Sequence, residues 1–143
     1  MGSVAASCLV LLVATTVIHY EVLRLMTMGL PVLHMRGRAK LLVVIFSAFI
    51  AHAIEIVLYA IAFYLLAHYT GAGTLGAPSQ LSFSRSLYFS GETYTSLGYG
   101  DIVPRGILRL LAGMEALNGL LLIGWTASYT YIAMERFWDN TDK

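Results

Sequence analysis

Charge is what this chain has least of. Only 12% of its 143 residues are Asp, Glu, Lys or Arg, against roughly a quarter in an ordinary soluble domain. The deficit falls in long blocks, so most side chains are expected to meet lipid rather than water. A formal net charge of +1 gives no argument for a nucleic-acid partner or a strongly acidic one. The single cysteine, Cys8, excludes an internal disulfide and any C-x-x-C chemistry. No H-E-x-x-H spacing occurs, and His19, His34 and His68 are expected at interfaces rather than on a metal. The four histidines are expected to spread over opposite sides of a bilayer. Internal repeats, low-complexity tracts and a regularly spaced arginine helix are also missing.

What is present is apolar: 58% of residues are hydrophobic and mean hydropathy is +0.73. A bilayer core needs about twenty such residues in a row, and three blocks qualify. The first covers residues 1–28; with no basic n-region and no small-x-small cleavage site, it reads as a membrane helix rather than a signal peptide. Residues 29–40 form a connection with Gly29, Pro31 and Gly37 and the basic cluster Arg36, Arg38 and Lys40. A second span covers 41–69, interrupted by His52 and Glu55, and Gly71, Gly73, Gly76 and Pro78 mark a loop after it. Ser82 or Ser84 is expected to cap a short helix over 84–94. Pro104 precedes a third span, 105–135, and 136–143 is a short polar tail. Basic residues in short connections favour the cytoplasmic side. This orientation puts the N-terminus outside and the C-terminus inside; Arg136 and Lys143 agree with it, while Arg85, Arg105 and Arg109 oppose it.

Between the second and third blocks lies Thr95-Ser96-Leu97-Gly98-Tyr99-Gly100-Asp101. Two glycines around one aromatic let the backbone adopt conformations closed to L-residues. Successive carbonyl oxygens can then turn the same way, a ladder suited to a dehydrated monovalent cation. Irregular backbone at membrane depth is tolerated only when buried in protein or lining a watery cavity. With its lead from Tyr88 to Tyr94 and with Pro104 following, the segment resembles the pore helix and selectivity filter of tetrameric potassium channels. The resemblance covers about residues 41–134 and leaves the first span outside.

That resemblance implies an all-α membrane protein of three transmembrane helices, with a re-entrant pore helix and filter loop between the second and third. It implies K+ coordination by the backbone carbonyls of Ser96, Leu97, Gly98 and Tyr99, with Gly100 ending the filter and the Ser96 hydroxyl completing the innermost site. Serine stands where the family usually has threonine, and Leu97 where valine is common. Tyr88, Glu92, Thr95 and Asp101 would support the loop. Glu92 and Asp101 match an acidic pair, and two close carboxylates should share a proton. One loop supplies one column of oxygens, so four copies are implied, a homotetramer in contact with membrane lipids. It would conduct K+ passively across a plasma or bacterial inner membrane, with K+ as transported substrate and no organic cofactor.

On the third span, Gly119 matches a gating-hinge glycine, with plain helix packing as the equal alternative. Leu120, Ile123, Gly124 and Ala127 would then face a cavity, with Tyr131 or Glu135 at an inner mouth. His52 and Glu55 share one helix face, as do Glu115 and Asn118. Such residues inside a membrane usually have partners. They read either as a proton-sensitive element or as interhelical hydrogen bonds reaching Thr15 or Thr16. Tyr59, Phe63, Tyr64 and Tyr69 read as an aromatic belt or a packing surface. The rival functions are a non-conducting pore-fold subunit that regulates another channel, and a membrane metalloenzyme using the His and Glu positions.

Overall fold

A computed structural model describes residues 2–76 and 81–138; Pro78 and the tail residues 139–143, Lys143 among them, lie outside these. The described residues form four helices: α1 Gly2–Gly29, α2 Gly37–Tyr69, α3 Phe83–Tyr94 and α4 Leu108–Trp138. Three of them, α1, α2 and α4, are long and apolar enough to cross a membrane. Among the described residues the only strand-like pairing is an isolated bridge between Leu75 and Pro104.

Helix α2 begins at Gly37 rather than 41, so Arg38 and Lys40 lie in its first turn. Its buried positions include Leu41, Val44, Ala48, Ala51, Glu55, Tyr59, Phe63 and Leu66, a three- and four-residue spacing that makes one continuous seam. The opposite face exposes Phe46, Phe49 and Ile50. A helix apolar on both faces is suited to lipid. Helix α1 presents a matching seam of Val4, Cys8, Leu11, Thr15, His19 and Leu23, all buried. Between helices in lipid there is little hydrophobic driving force, so close packing and polar contacts hold such a bundle.

One core cluster joins all four helices: Val4, Cys8 and Leu11 of α1, Tyr59, Phe63 and Leu66 of α2, Phe89 of α3, and Leu108, Leu111 and Ala112 of α4. Phe63 and Phe89 meet edge to face with centroids 5.0 Å apart, a favoured aromatic geometry. Tyr59 and Phe63 are fully buried while Tyr69 is exposed, so the first two serve packing. At the far end Leu30, Leu41, Val44 and Ala133 form a second cluster.

Helix α3 starts at Ser82, whose hydroxyl accepts from the Arg85 amide at 3.2 Å. The loop after α2 is laced to the segment before α4. Arg105 N donates to Thr74 O and Ile107 N to Ala72 O, each at 2.9 Å. These bonds anchor the chain on the far side of residues 95–101. Removing the cap by Ser82→Ala should cost about 1 kcal/mol, read as earlier unfolding of the detergent-solubilised protein in a denaturant titration.

Candidate functional site

The 95–101 segment leaves the C-terminus of α3 with φ alternating in sign. Ser96, Gly98 and Gly100 have φ of 57°, 55° and 81°, while Leu97 and Tyr99 between them are not in the positive region. Ser96 is the only non-glycine residue with positive φ among the described residues, a conformation uncommon for an L-residue. The amides of this stretch point back toward α3. Ser96 N donates to Thr93 O at 3.0 Å, and Leu97 N and Gly98 N both reach Glu92 O at 2.9 and 3.2 Å. Tyr99 N donates to the Glu92 carboxylate at 3.1 Å. With the amides engaged, the carbonyls of 96–99 accept no hydrogen bond within the described residues. Residues 95–101 are all exposed on the single chain.

The supporting residues divide into two contacts. Glu92 is buried and holds Tyr99, whereas Tyr88 donates to Asp101 at 3.3 Å. Among the described residues Glu92 and Asp101 share no hydrogen bond. Burial pushes the Glu92 carboxyl up, the Tyr99 amide opposes this, and the Asp101 charge adds to the rise. Thr95 donates to the Gly91 carbonyl at 2.8 Å and so closes the last turn of α3.

Behind the loop lies a polar ring that joins four helices. Glu55 is fully buried and accepts from three sides. His19 Nδ1 lies 3.0 Å from its Oε1, His52 Nδ1 lies 3.2 Å from its Oε2, and the Tyr94 hydroxyl donates to Oε2. Thr126 Oγ1 closes the ring, 2.9 Å from His52 Nε2 and 3.1 Å from His19 Nε2. Burial, reinforced by the Glu55 contact, pushes the Tyr94 phenol up, so its hydroxyl stays a donor.

His19 is therefore not interfacial. It is fully buried, and its ring centroid is 5.1 Å from that of His52. Thus two of the histidines expected on opposite sides of a bilayer meet in the bundle. The reason is that His19 continues the α1 seam one turn beyond Thr15. That spacing was the available signal for His19; nothing in the sequence pointed to Tyr94 or Thr126 as partners of Glu55.

The second polar pair splits. Asn118 Nδ2 donates to Thr15 at 2.7 Å and lies 3.2 Å from the Tyr59 hydroxyl, the contact expected of the first span. Glu115 instead touches the Ser90 hydroxyl of α3, which lies 2.8 Å from the Ile56 carbonyl oxygen. Gly119 sits against the end of α3: a Cβ there would lie 2.1 Å from the Tyr94 carbonyl oxygen. Close approach is thus a sufficient reason for glycine. Leu120, Ile123, Gly124, Ala127, Tyr131 and Glu135 are exposed on the single chain.

Comparison with known families matches residues 39–136 to the family described as Ion channel. The match takes in α3, the 95–101 loop, α4 as far as Arg136 and nearly all of α2. Protein LctB of Geobacillus stearothermophilus is 54% identical over 37 residues, 26% of this chain and 28% of that protein. Protein LctB of Bacillus caldotenax is 51% identical over 37 residues, with the same coverage. The match thus spans little more than a quarter of these curated relatives. No solved structure matches the chain.

Two outcomes follow from the contacts at the end of α3. Gly119→Ala forces α4 away from Tyr94 and should cost about 1–3 kcal/mol, the usual range for overpacking, measured as loss of folded protein in denaturant. Glu92 carries a carboxyl raised on folding, so its contribution is complete below the ordinary glutamate value of about 4.3. That contribution is lost as pH rises through the raised value. Glu92→Gln should flatten the fall in thermal stability across the weakly acidic range, compared with the unsubstituted protein.

Proposed function

The chain belongs to the ion channel family, and from that premise we propose that four copies surround one axis as a potassium-selective pore. Its three long apolar helices together with the family make it an integral membrane protein. In the proposed pore, α2 is the outer helix, α3 the re-entrant pore helix and α4 the inner helix. Residues 95–100 line the axis as the filter. The observation that carries this reading is the division of labour along the loop: amides turned into α3 and Glu92, carbonyls of 96–99 left without donors. Alternating sign of φ is what allows consecutive carbonyls to face one side. Rings of such carbonyls replace the hydration shell of K+ in potassium channels.

In this reading the carbonyls of Ser96, Leu97, Gly98 and Tyr99 coordinate K+, with Gly100 closing the outer end. Glu92 and Thr95 brace the loop from α3, and Tyr88 with Asp101 braces its outer edge. The C-terminus of α3, with its partial negative charge, would face a central cavity and favour a cation there. Leu120, Ile123, Gly124 and Ala127 would border that cavity, and Tyr131 and Glu135 its inner mouth. The basic cluster at Arg36, Arg38 and Lys40 supports a cytoplasmic connection between α1 and α2. The N-terminus is then outside and the C-terminus inside.

Purified protein in planar bilayers with opposed KCl and NaCl should give a reversal potential close to that of K+. Gly98→Ala and Tyr99→Asp should each move it toward the nonselective value, while native mass spectrometry still reports a tetramer. Unchanged selectivity in both variants, or a unit protein that conducts nothing and never forms tetramers, would overturn the reading.

A further inference from the structure

The ring around Glu55 admits more than one arrangement of its protons. Thr126 Oγ1 faces Nε2 of both His19 and His52. A hydroxyl carries one proton and two lone pairs, so it can donate to one nitrogen and accept from the other, or accept from both. In the second arrangement both rings are Nε2–H tautomers, which leaves both Nδ1 atoms open to a ligand bond. The Tyr94 hydroxyl donates to the Glu55 carboxylate and also lies 2.8 Å from His52 Nδ1. Two imidazole nitrogens and a carboxylate thus converge on one another, with His19 and Glu55 fully buried and His52 partly so. The natural complement of that set is a cation.

We propose that His19 Nδ1, His52 Nδ1 and the Glu55 carboxylate form a binding site for a divalent transition metal of the Zn2+ class. The ligand atoms of the three residues all lie within 4.8 Å of one another. Each Nδ1 is 3.0 or 3.2 Å from a carboxylate oxygen. Bonds of about 2.0–2.1 Å in tetrahedral geometry separate neighbouring ligands by roughly 3.3 Å, so the side chains need shift little. Two imidazoles and a carboxylate suit Zn2+ better than Mg2+ or Ca2+, which take oxygen ligands.

The surroundings are those of a metal site. A ligating histidine usually donates its second N–H to a fixed acceptor, and a ligating carboxylate is itself hydrogen-bonded. Thr126 supplies the first for both rings, and Tyr94 the second. A fourth position is open to water from the side of His52, which is 17% exposed. His52 and Thr126 line a cavity of about 170 Å³ with Ile45, Ala48, Phe49 and Thr130, and this is the entry path. Protons occupy the same ring when the metal is absent and are released as it binds.

The metal would tie α1, which lies outside the family match, to α2 and to the last residue of α3. This inference stands independently of potassium selectivity. Its test uses the full-length protein, stripped with chelator and titrated with Zn2+ and with Co2+. One equivalent per chain is expected, with the strong visible absorption of low-coordinate Co2+ and a higher unfolding temperature in Zn2+. Glu55→Gln and His52→Asn should abolish binding, and Thr126→Val should weaken it by about 10–100-fold. His34→Ala with His68→Ala should leave it unchanged. Absence of the Co2+ band in the unsubstituted protein overturns the proposal whatever the variants do. So does binding that survives Glu55→Gln, or that disappears with His34 and His68.

Discussion

The Glu55 carboxylate is the charge around which the bundle is organised. A carboxylate within an apolar helix is costly unless charge and lone pairs are both answered. Here the answers come from different elements: His19 from α1, His52 from one turn earlier on α2, and Tyr94 from the end of α3. Thr126 of α4 then ties the two histidines together. Each partner is held by the others, so removing one leaves buried groups unpaired, the expensive outcome in a low-dielectric interior. In lipid, where apolar faces gain little by meeting, this set of directed contacts fixes which faces of α1, α2 and α4 turn inward.

Tyr94 carries that constraint to the loop. Its hydroxyl is fixed by Glu55, its carbonyl presses on Gly119, and Glu92, two residues earlier, holds the amides of 97–99. The exposed carbonyls are thus positioned by a line of contacts that begins on α1. On the other side of the segment, the pairing of 72–74 with 105–107 anchors the start of α4. A loop with so much irregular backbone is held from both ends, and its strain at Ser96 is supported by α3 beneath it.

Much of this was legible in the residues because it depends on local patterns. Long apolar blocks separated by Gly, Pro and basic clusters determined three long helices, and Ser82 or Ser84 marked the start of the short one, with Ser82 the cap in the structure. The G-Y-G-D segment carried the family that the comparison then matched over 39–136. Thr15 or Thr16 is expected as an interhelical partner, and Thr15, on the buried seam, is the one that accepts from Asn118. His19, expected at an interface, is instead buried because it lies on the inward-turning seam of α1.

By itself, the sequence determined helix number, the spacing of buried seams and the chemistry available to the loop, since each follows from residue type at short range. Only the tertiary structure decided that Glu55 meets His19, that Asn118 rather than Glu115 takes Thr15, and that Gly119 is required by the Tyr94 carbonyl. Those contacts join residues 25 to 103 positions apart. No periodicity encodes such pairings; they are set by how far each helix slides and turns against its neighbours.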